Sequence, residues 1–164
     1  MASKYDYLRN FRFTIEIDGA EVAGFSRATG LKRSVDKIEH RASGDTDQTY
    51  KLGGLVHYDD IVLEQGVSRD ATLMTWCQDW YNGGKINKAE IDSVKDVNIN
   101  VKDKAGNIVR VYTLREAFPS DFAISDLDSR GSDIVMESLV LTHDGFSVWT
   151  RPATGDEATI EASM

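Results

Sequence analysis

The residues of this sequence that could do chemistry are few and widely spaced. The chain has three histidines and one cysteine in 164 residues. His40, His57 and His143 lack the spacing of metal ligands, and a single cysteine, Cys77, excludes an intrachain disulfide and a multi-cysteine metal site. Cys77 would need a polarising histidine to act as a nucleophile, and its sequence neighbours supply none. The sequence therefore offers no catalytic constellation.

Two glycine-containing stretches approach known motifs without completing them. Gly24-Phe25-Ser26-Arg27-Ala28 falls short of the G-x-S-x-G nucleophile motif, and it joins a strand to a loop instead of a strand to a helix. Gly83-Gly84-Lys85 follows a predicted helix, whereas a phosphate-binding glycine loop opens one. These stretches indicate neither a hydrolase nor a nucleotide site, although a hydrolase assembled from distant Ser, His and Asp residues remains an alternative.

One acidic stretch matches a calcium-binding loop in part. The residues with that spacing are Asp126, Asp128, Gly131 and Glu137. Arg130, however, stands where an oxygen ligand belongs, and the flanking segments have the pattern of strands. An Asx-rich turn entering a strand is the favoured interpretation. We therefore expect no catalytic residue, no cofactor and no bound metal.

Composition and charge describe one globular domain with an acidic balance. Charged residues make up 28% of the chain, and the net charge is −8. An acidic balance disfavours general binding to nucleic acid or to anionic lipid. Residues 1–58 carry a net +1 and residues 59–164 a net −9, which suits a protein whose ends meet in neighbouring copies, although an ordinary solvated surface is the simpler interpretation. No apolar stretch approaches a membrane span and no signal core opens the chain, so we expect synthesis in a cytosol and no membrane anchoring.

Alternation of apolar and polar residues predicts seven or eight strands, and these strands must position the histidines, the cysteine and the acidic residues named above. Phe11 to Asp18 alternates apolar and polar side chains, and the turn dipeptide Asp18-Gly19 makes residues 10–27 a hairpin. The other predicted strands cover residues 32–41, 60–65, 97–102, 108–116 and 134–143, with Ala117–Phe122 breaking the sheet.

One helix is predicted over residues 70–82. Leu73, Trp76, Cys77 and Trp80 recur at helical spacing and form a core face, and Asp70 is a suitable N-cap. Asn82-Gly83-Gly84 supplies the C-terminal stop. The aromatic face of this helix is interpreted as core and not as a cofactor site.

The predicted fold class is mainly β, a β-sandwich or incomplete barrel with one flanking α-helix. Residues 1–145 form the β domain, and residues 146–164 a C-terminal tail extension. Residues 42–54 are predicted to form a long mobile loop or an extended hairpin, because they contain little that could pack. An open sheet has edges, and such edges invite pairing with another chain.

The order and spacing of several segments resemble the tail tube protein family of contractile-tailed phages and related contractile injection systems. The segments that carry the resemblance are Asn10-Phe11-Arg12-Phe13 through Gly19, Ala23-Gly24-Phe25-Ser26 before Gly30-Leu31, Glu39-His40-Arg41, Lys51-Leu52-Gly53-Gly54-Leu55, Leu63-Glu64-Gln65-Gly66, Ala117-Phe118-Pro119-Ser120, and Glu137 to Gly145. The sequence departs from the family pattern at His40, Gly53 and Phe118, which leaves the subfamily open between phage tail, injection particle and tailocin.

The resemblance implies a structural protein and not an enzyme, with a fold shared with the type VI secretion tube protein. Subunits would close into six-membered rings that stack into a hollow tube, lined by a β-barrel with strands from every subunit. Partners would be other copies, sheath, baseplate, tape-measure and tube-terminator proteins, with DNA or effector cargo passing without specific binding. The location would be a virion tail or injection particle, assembled in a bacterial host cytoplasm.

Within this interpretation, the 42–54 segment is the expected ring-to-ring contact. Its named residues are Ser43, Gly44, Asp45, Thr46, Asp47, Gln48, Gly53 and Gly54. Ordering a flexible segment costs about 1–2 kcal/mol per residue, which would suppress premature tubes. The candidate channel faces are Asn98, Asn100 and Lys102, or Thr14, Glu16 and Asp18. The alternatives are a tube-initiator or baseplate paralogue of the same fold and a monomeric ligand-binding β-barrel.

Overall fold

The computed structural model describes residues 12–22, 24–41, 49–67, 69–83 and 94–152. These residues form ten strands and one helix, in the order β1 (Phe13–Ile17), β2 (Ala20–Val22), β3 (Phe25–Thr29), β4 (Arg33–His40), β5 (Tyr50–Tyr58), β6 (Ile61–Gly66), α1 (Thr72–Gly83), β7 (Lys95–Lys102), β8 (Ile108–Ile124), β9 (Met136–Thr142) and β10 (Phe146–Thr150). The predicted mainly β class with one flanking helix is confirmed. Helix α1 has 12 residues, and no helix in the described ranges has the length and apolar character needed to cross a membrane.

Eight strands form one antiparallel sheet that does not close on itself. Its order is β2-β1-β7-β8-β9-β6-β3, and β10 pairs with β8. Strands β4 and β5 form a separate two-stranded sheet. The 17-residue strand β8 joins the two halves, since its first part pairs with β7 and β10 and its last part with β9.

The core lies between the two halves of the sheet and helix α1. Alternate residues on each strand point into it, as the period of a half-buried strand requires. One half contributes Ile15, Ile17, Val97, Ile99 and Leu114, the other Ile61, Leu63, Leu139 and Leu141, and the helix Leu73, Trp76 and Cys77. Each buried side chain of this size stabilises the fold by about 1.5–3 kcal/mol relative to leaving it exposed.

The first predicted hairpin is confirmed over β1 and β2 and is wrong beyond them. Asp18 and Gly19 both have positive φ, 53° and 78°, which is the geometry of a type I′ turn. Phe25–Thr29, however, pairs with β6 instead of returning along β1. Gly24, with a φ of 105°, precedes β3 and allows the chain to leave the hairpin.

The expected sheet break at Ala117–Phe122 is wrong, because β8 runs through it. Glu116 has a φ of 49°, and the register with β9 shifts between Pro119 and Asp121, so a bulge absorbs the proline that cannot donate to the ladder. The Pro119 side chain is fully buried. A local irregularity therefore bends one long strand between the two sheet halves.

Two predicted boundaries also change. Phe146–Thr150 pairs with β8, so this part of the predicted tail belongs to the domain. Phe146 and Val148 share a face with Leu114 and Tyr112, their partners in β8. Gly53 and Gly54 lie within β5, so the extended-hairpin interpretation holds for residues 50–54 and the loop interpretation does not. Residues 42–48 and 153–164 lie outside the described residues.

Candidate assembly surfaces

The three histidines do not converge. His143 is buried, with Nε2 3.0 Å from the carbonyl oxygen of Asp59, and its Nδ1 accepts a hydrogen bond from the amide of Gly145. That pattern assigns the proton to Nε2. His57 lies on β5 with Nε2 2.9 Å from Oδ2 of Asp36, and His40 is exposed on β4. In the described ranges, no group of three or more His, Cys, Asp or Glu residues could hold a metal ion.

Cys77 lies in the core, where it is 2% exposed. Burial, together with the nearby negative charge of Glu137, raises the pKa of the Cys77 thiol to about 11. Glu137 in turn accepts a hydrogen bond of 3.0 Å from Nε2 of the buried Gln65. A thiol that stays protonated at neutral pH is a poor nucleophile, so this environment gives Cys77 a packing role.

The helix is positioned by its cap and by its aromatic face. Asp70 Oδ1 accepts hydrogen bonds from the hydroxyl and the amide of Thr72, and these bonds lower the pKa of Asp70. The structure places Trp76 with Leu73 and Cys77 in the core, while Trp80 is partly buried and stacks on Phe118 with ring centroids 4.5 Å apart. The outer face of α1 carries the exposed residues Thr72, Gln78 and Asp79.

Strands β4 and β5, which we call the projecting hairpin, carry six of the exposed large apolar side chains of the described chain. Neither strand pairs with the main sheet or packs extensively on another described element. Six large apolar side chains on it are about half exposed or more: Val35, Ile38, Tyr50, Leu52, Leu55 and Val56. A two-stranded hairpin is at best marginally stable by itself in water, and contiguous exposed apolar surface marks an interaction site.

Register gives the projecting hairpin two different faces. Ile38 and Leu52 are directly paired, so they share a face, and they are 53% and 57% exposed. Lys37 and Lys51 precede them in their strands and therefore point to the other face. Strand β4 approaches β5 closely at Gly54, because Gly54 has no side chain. A Cβ at that position would lie 3.0 Å from Cβ of Asp36.

The root of the projecting hairpin is fixed firmly to the sheet. The amide of Asp59 donates to the carbonyl oxygen of Lys32, and the Lys32 ammonium lies 3.4 Å from a carboxylate oxygen of Asp59. Gly30 has a φ of 95°, and a Cβ there would lie 2.0 Å from the carbonyl oxygen of Asp60. The hairpin is therefore held at its base while its strands stay exposed.

Three strands of the main sheet have only one partner among the described strands. Strand β2 pairs with β1, β3 with β6 and β10 with β8. Strands β2 and β3 end the sheet at its two sides. Backbone groups at such edges can pair with another chain.

The two candidate channel faces are one face of the sheet. Thr14 pairs directly with Asn100, and Glu16 pairs with Asn98. Side-chain hydrogen bonds connect neighbouring strands on this face. Asn100 Nδ2 donates to Glu16 Oε2 at 3.3 Å, and Thr113 Oγ1 donates to Asn98 Oδ1 at 2.8 Å. The buried Thr14 hydroxyl has no hydrogen-bond partner in the described part of the chain. This face carries amides, hydroxyls and the Glu16 carboxylate beside the apolar side chains of Val111 and Trp149, which continue the register from Asn100.

Charges at the margin of this polar face are balanced. Lys102 lies 3.5 Å from Glu21, and Lys95 lies 3.7 Å from Asp18 in the β1–β2 turn. Arg12 donates to the carbonyl oxygen of Asp103. The face is therefore polar and close to neutral.

The acidic stretch of residues 125–135 forms a loop between β8 and β9. Asp128 Oδ1 accepts a hydrogen bond from the amide of Arg130, and its carbonyl oxygen accepts one from Gly131, so the Asx-turn interpretation is confirmed. The loop lines a groove of about 650 Å³. Sequence patterns gave no sign of this groove, because its walls come from one irregular segment.

Sequence reasoning named two residues of the projecting hairpin and missed its apolar side chains. Ser43 to Gln48 of the expected contact lie outside the described residues, whereas Gly53 and Gly54 belong to the projecting hairpin. The apolar residues of that hairpin were not singled out. The sequence signal that could have found them is in β4, where the apolar residues Val35 and Ile38 stand among charged residues in a strand that is otherwise suited to solvent.

Comparison with solved structures places the fold among the tubes of contractile systems. A chain of the PVC sheath–tube complex, an extracellular contractile injection system in its extended state, superimposes with a TM-score of 0.75 at 21% identity, covering 90% of this chain and 95% of that one. A chain of the tube-terminating cap of the anti-feeding prophage gives 0.76 at 24% identity, with 92% and 95% covered. A type six secretion system protein gives 0.54 at 13% identity, with 88% and 86% covered.

The open sheet and these likenesses define the fold class as that of the tube proteins of contractile systems. Comparison with curated proteins gives no sequence match. The family model of the T4-like virus tail tube protein gp19 matches residues 9–147, and the chain belongs to that family.

Proposed function

We propose that this chain is the subunit of an inner tube in a contractile tail or injection particle, forming six-membered rings that stack into a hollow conduit. Family membership supports the tube role. The observation that carries the assembly is the projecting hairpin, whose apolar side chains have no cover within the described chain. In a tube of identical subunits, the surface that covers this hairpin would belong to another copy of the chain.

The ring contact is proposed to use the open sheet edges. Neighbouring subunits within a ring meet head to tail, and rotation closes that contact. Pairing the β2 border of one subunit with the β3 border of the next would satisfy edge backbone groups all around the ring. The ring-to-ring contact is also head to tail but does not close, so it propagates into a tube.

The conduit wall is proposed to be the polar face that carries Glu16, Asn98 and Thr113. Amides and hydroxyls that already bond to one another leave few groups free to hold cargo. A nearly neutral wall also lacks the cationic charge that retains phosphate. DNA or effector cargo would therefore slide through without specific binding.

The outer partners are proposed by analogy with the relatives. Similar chains come from a PVC sheath–tube complex and from the baseplate of the anti-feeding prophage. The exposed side of α1, with Thr72, Gln78 and Asp79, is the candidate sheath contact. The ends of the tube would meet baseplate, tape-measure and terminator proteins, in a particle assembled in a bacterial host cytoplasm.

Negative-stain microscopy of the purified protein tests this proposal. We expect rings and tubes from the native chain, and loss of tubes in the variant Ile38→Asp/Leu52→Asp, because charge on the apolar face of the projecting hairpin opposes its burial. Met74→Asp, which alters an exposed apolar residue of α1, is the matched control and should assemble like the native chain.

The outcomes of that experiment are distinct. Featureless monomers of the native chain at high concentration would contradict the proposal and favour a ligand-binding barrel. Rings that never elongate would favour the tube-initiator or baseplate paralogue. Thermal unfolding of the hairpin variant should match the native chain, since neither residue belongs to the core.

A further inference from the structure

His143 connects two segments that are far apart in the sequence. It lies in the link of residues 143–145 between β9 and β10, and it is 8% exposed. Its Nε2 donates to the carbonyl oxygen of Asp59 at 3.0 Å. Asp59 belongs to the root of the projecting hairpin, where its amide donates to the carbonyl oxygen of Lys32. The imidazole therefore ties the root of the hairpin to the β9–β10 link.

The other ring nitrogen holds the β9–β10 link itself. Nδ1 of His143 accepts a hydrogen bond of 3.1 Å from the amide of Gly145. The link is also bound to β8, because the amide of Arg115 donates to the carbonyl oxygen of Gly145 and the amide of Asp144 donates to that of Arg115. One ring nitrogen thus acts as a donor and the other as an acceptor. Only a neutral imidazole can do both.

Aromatic rings cover the imidazole, and charged groups stand beside it. The ring of His143 lies 5.9 Å from that of Tyr58 and 6.2 Å from that of Phe146, centroid to centroid. A ring enclosed in this way must move before it can exchange its hydrogen bonds for bonds to water. The Asp59 carboxylate lies 3.4 Å from the Lys32 ammonium. The titratable and charged groups on the elements packed against the ring are Tyr58 and Asp59 at the hairpin root, Arg115 on β8 and Asp144 in the link.

Proton uptake by the ring removes one of its two hydrogen bonds. An imidazole in water takes up a proton at about pH 6.5, and both nitrogens then carry hydrogen. The Nδ1–H of a protonated His143 would face the N–H of Gly145 across 3.1 Å, donor against donor. The ring or the link must then move. The unfolded chain takes up the same proton without losing this bond, so a falling pH favours opening of the link.

The histidine on the hairpin itself responds in the opposite direction. His57 Nε2 lies 2.9 Å from Oδ2 of Asp36 across β4 and β5, so a proton on His57 strengthens this pair. Both side chains are more than half exposed, where solvent screens the attraction. His57 is therefore a control histidine, because its protonation does not loosen the root of the hairpin.

We propose that His143 is a pH-sensitive latch of the subunit, closed by the neutral ring and opened by proton uptake. The closed latch holds the root of the projecting hairpin in the orientation that assembly uses. The open latch releases the root from the β9–β10 link, and the hairpin loses that orientation. This inference rests on the proposed function, because it regulates the hairpin that the tube role needs. It adds a condition, the pH, under which subunits assemble.

Hydrogen exchange in dilute free subunits tests the latch itself. From about pH 7.5 to about pH 5.5, we expect the protection factors of the Gly145 and Asp59 amides to fall by about tenfold, which is the scale of one lost hydrogen bond. Core amides of β6 should change little. Protection factors already correct for the intrinsic effect of pH on exchange. Unchanged protection of the Gly145 amide in the native chain would overturn the proposal, and this measurement needs no variant.

Histidine variants identify the group that responds. His143→Gln removes the titration and keeps the bonding pattern, because the glutamine amide offers both an N–H donor and an oxygen acceptor. In this variant the two amides should be equally protected at both pH values. His57→Gln and His40→Gln remove the other two histidines and should keep the native response. A response that persists in His143→Gln, or that disappears in His57→Gln, would assign the switch to another group and overturn the proposal.

Assembly at two pH values separates this inference from the proposed function. By negative-stain microscopy, the native chain should form tubes at about pH 7.5 and about tenfold fewer at about pH 5.5, whereas His143→Gln should form them equally at both. Equal amounts of native tubes at both pH values would overturn the latch and leave the tube proposal standing. If the native chain forms no tubes at either pH, the tube proposal fails, while exchange of the Gly145 amide still decides whether the latch exists.

Discussion

At the scale of single residues, side chains that look reactive in the sequence are used for packing and backbone satisfaction. His143 bridges the carbonyl of Asp59 and the amide of Gly145, and Cys77 packs from the inner face of helix α1 into the core. Asp103 organises the β7–β8 turn by accepting hydrogen bonds from the amides of Asn107 and Ala105, which lower its pKa. Groups whose hydrogen bonds are satisfied within the fold are poor candidates for chemistry.

Cys77 should be unreactive in the folded protein. Burial raises the pKa of its thiol from the ordinary value of 9.0 to about 11, so almost no thiolate exists at pH 8. We expect no measurable labelling by a maleimide at pH 8 in native buffer and complete labelling in denaturant, followed by mass spectrometry. Rapid native labelling would contradict the buried position. Because the folded state holds the thiol proton more tightly, this group lowers stability as the pH rises from about 9 towards 11.

At the scale of elements, the chain separates a rigid sheet from a hairpin that leaves it at a fixed root. The link from β3 to β4 crosses the link from β5 to β6 so closely that only glycine fits at position 30. The same crossing orients both strands of the projecting hairpin. The orientation of the projecting hairpin therefore depends on a residue that lies outside the hairpin.

Gly30→Ala should be strongly destabilising. Its Cβ would lie 2.0 Å from the carbonyl oxygen of Asp60, so backbone must move, and we expect a loss on the order of 3 kcal/mol or more in unfolding free energy. Gly106→Ala is the control, because Gly106 has a similar φ of 89° with open space around it, and it should lose only about 1–2 kcal/mol. Equal midpoints for both variants in urea unfolding would show that the close approach at Gly30 is unimportant.

At the scale of the whole molecule, packing is unevenly distributed between the core and the projecting hairpin. The core unites both sheet halves and α1, whereas the projecting hairpin pairs only with itself among the described elements. We expect a subunit with these properties to fold before assembly and to bury the hairpin against neighbouring copies. Family membership in the tail tube proteins agrees with such a design.

Hydrogen exchange should report this difference. In dilute free subunits, amides of β4 and β5 should exchange much faster than those of β6 and β9, because a lone hairpin opens without disturbing the core. In assembled material the hairpin amides should become as protected as those of the core, while β6 changes little. Equal protection of the hairpin and β6 in free subunits would contradict the uncovered hairpin.

The sequence by itself determined the mainly β class, the single helix and the first turn, since period-two alternation, helical spacing at Leu73 to Trp80 and Asp18-Gly19 are local signals. The sequence also determined the resemblance to the tail tube protein family, because that resemblance depends on the order and spacing of short segments.

Only the tertiary structure decided how the long-range partners meet. It merged two candidate channel faces into one, since Thr14 and Asn100 are neighbours only through the β1–β7 register. It carried β8 through Pro119, added β10 to the sheet, and showed that the hairpin and the groove are uncovered. Strand pairing and exposure depend on residues far apart in the sequence, whereas propensities and turns depend on neighbours, so local patterns cannot specify them.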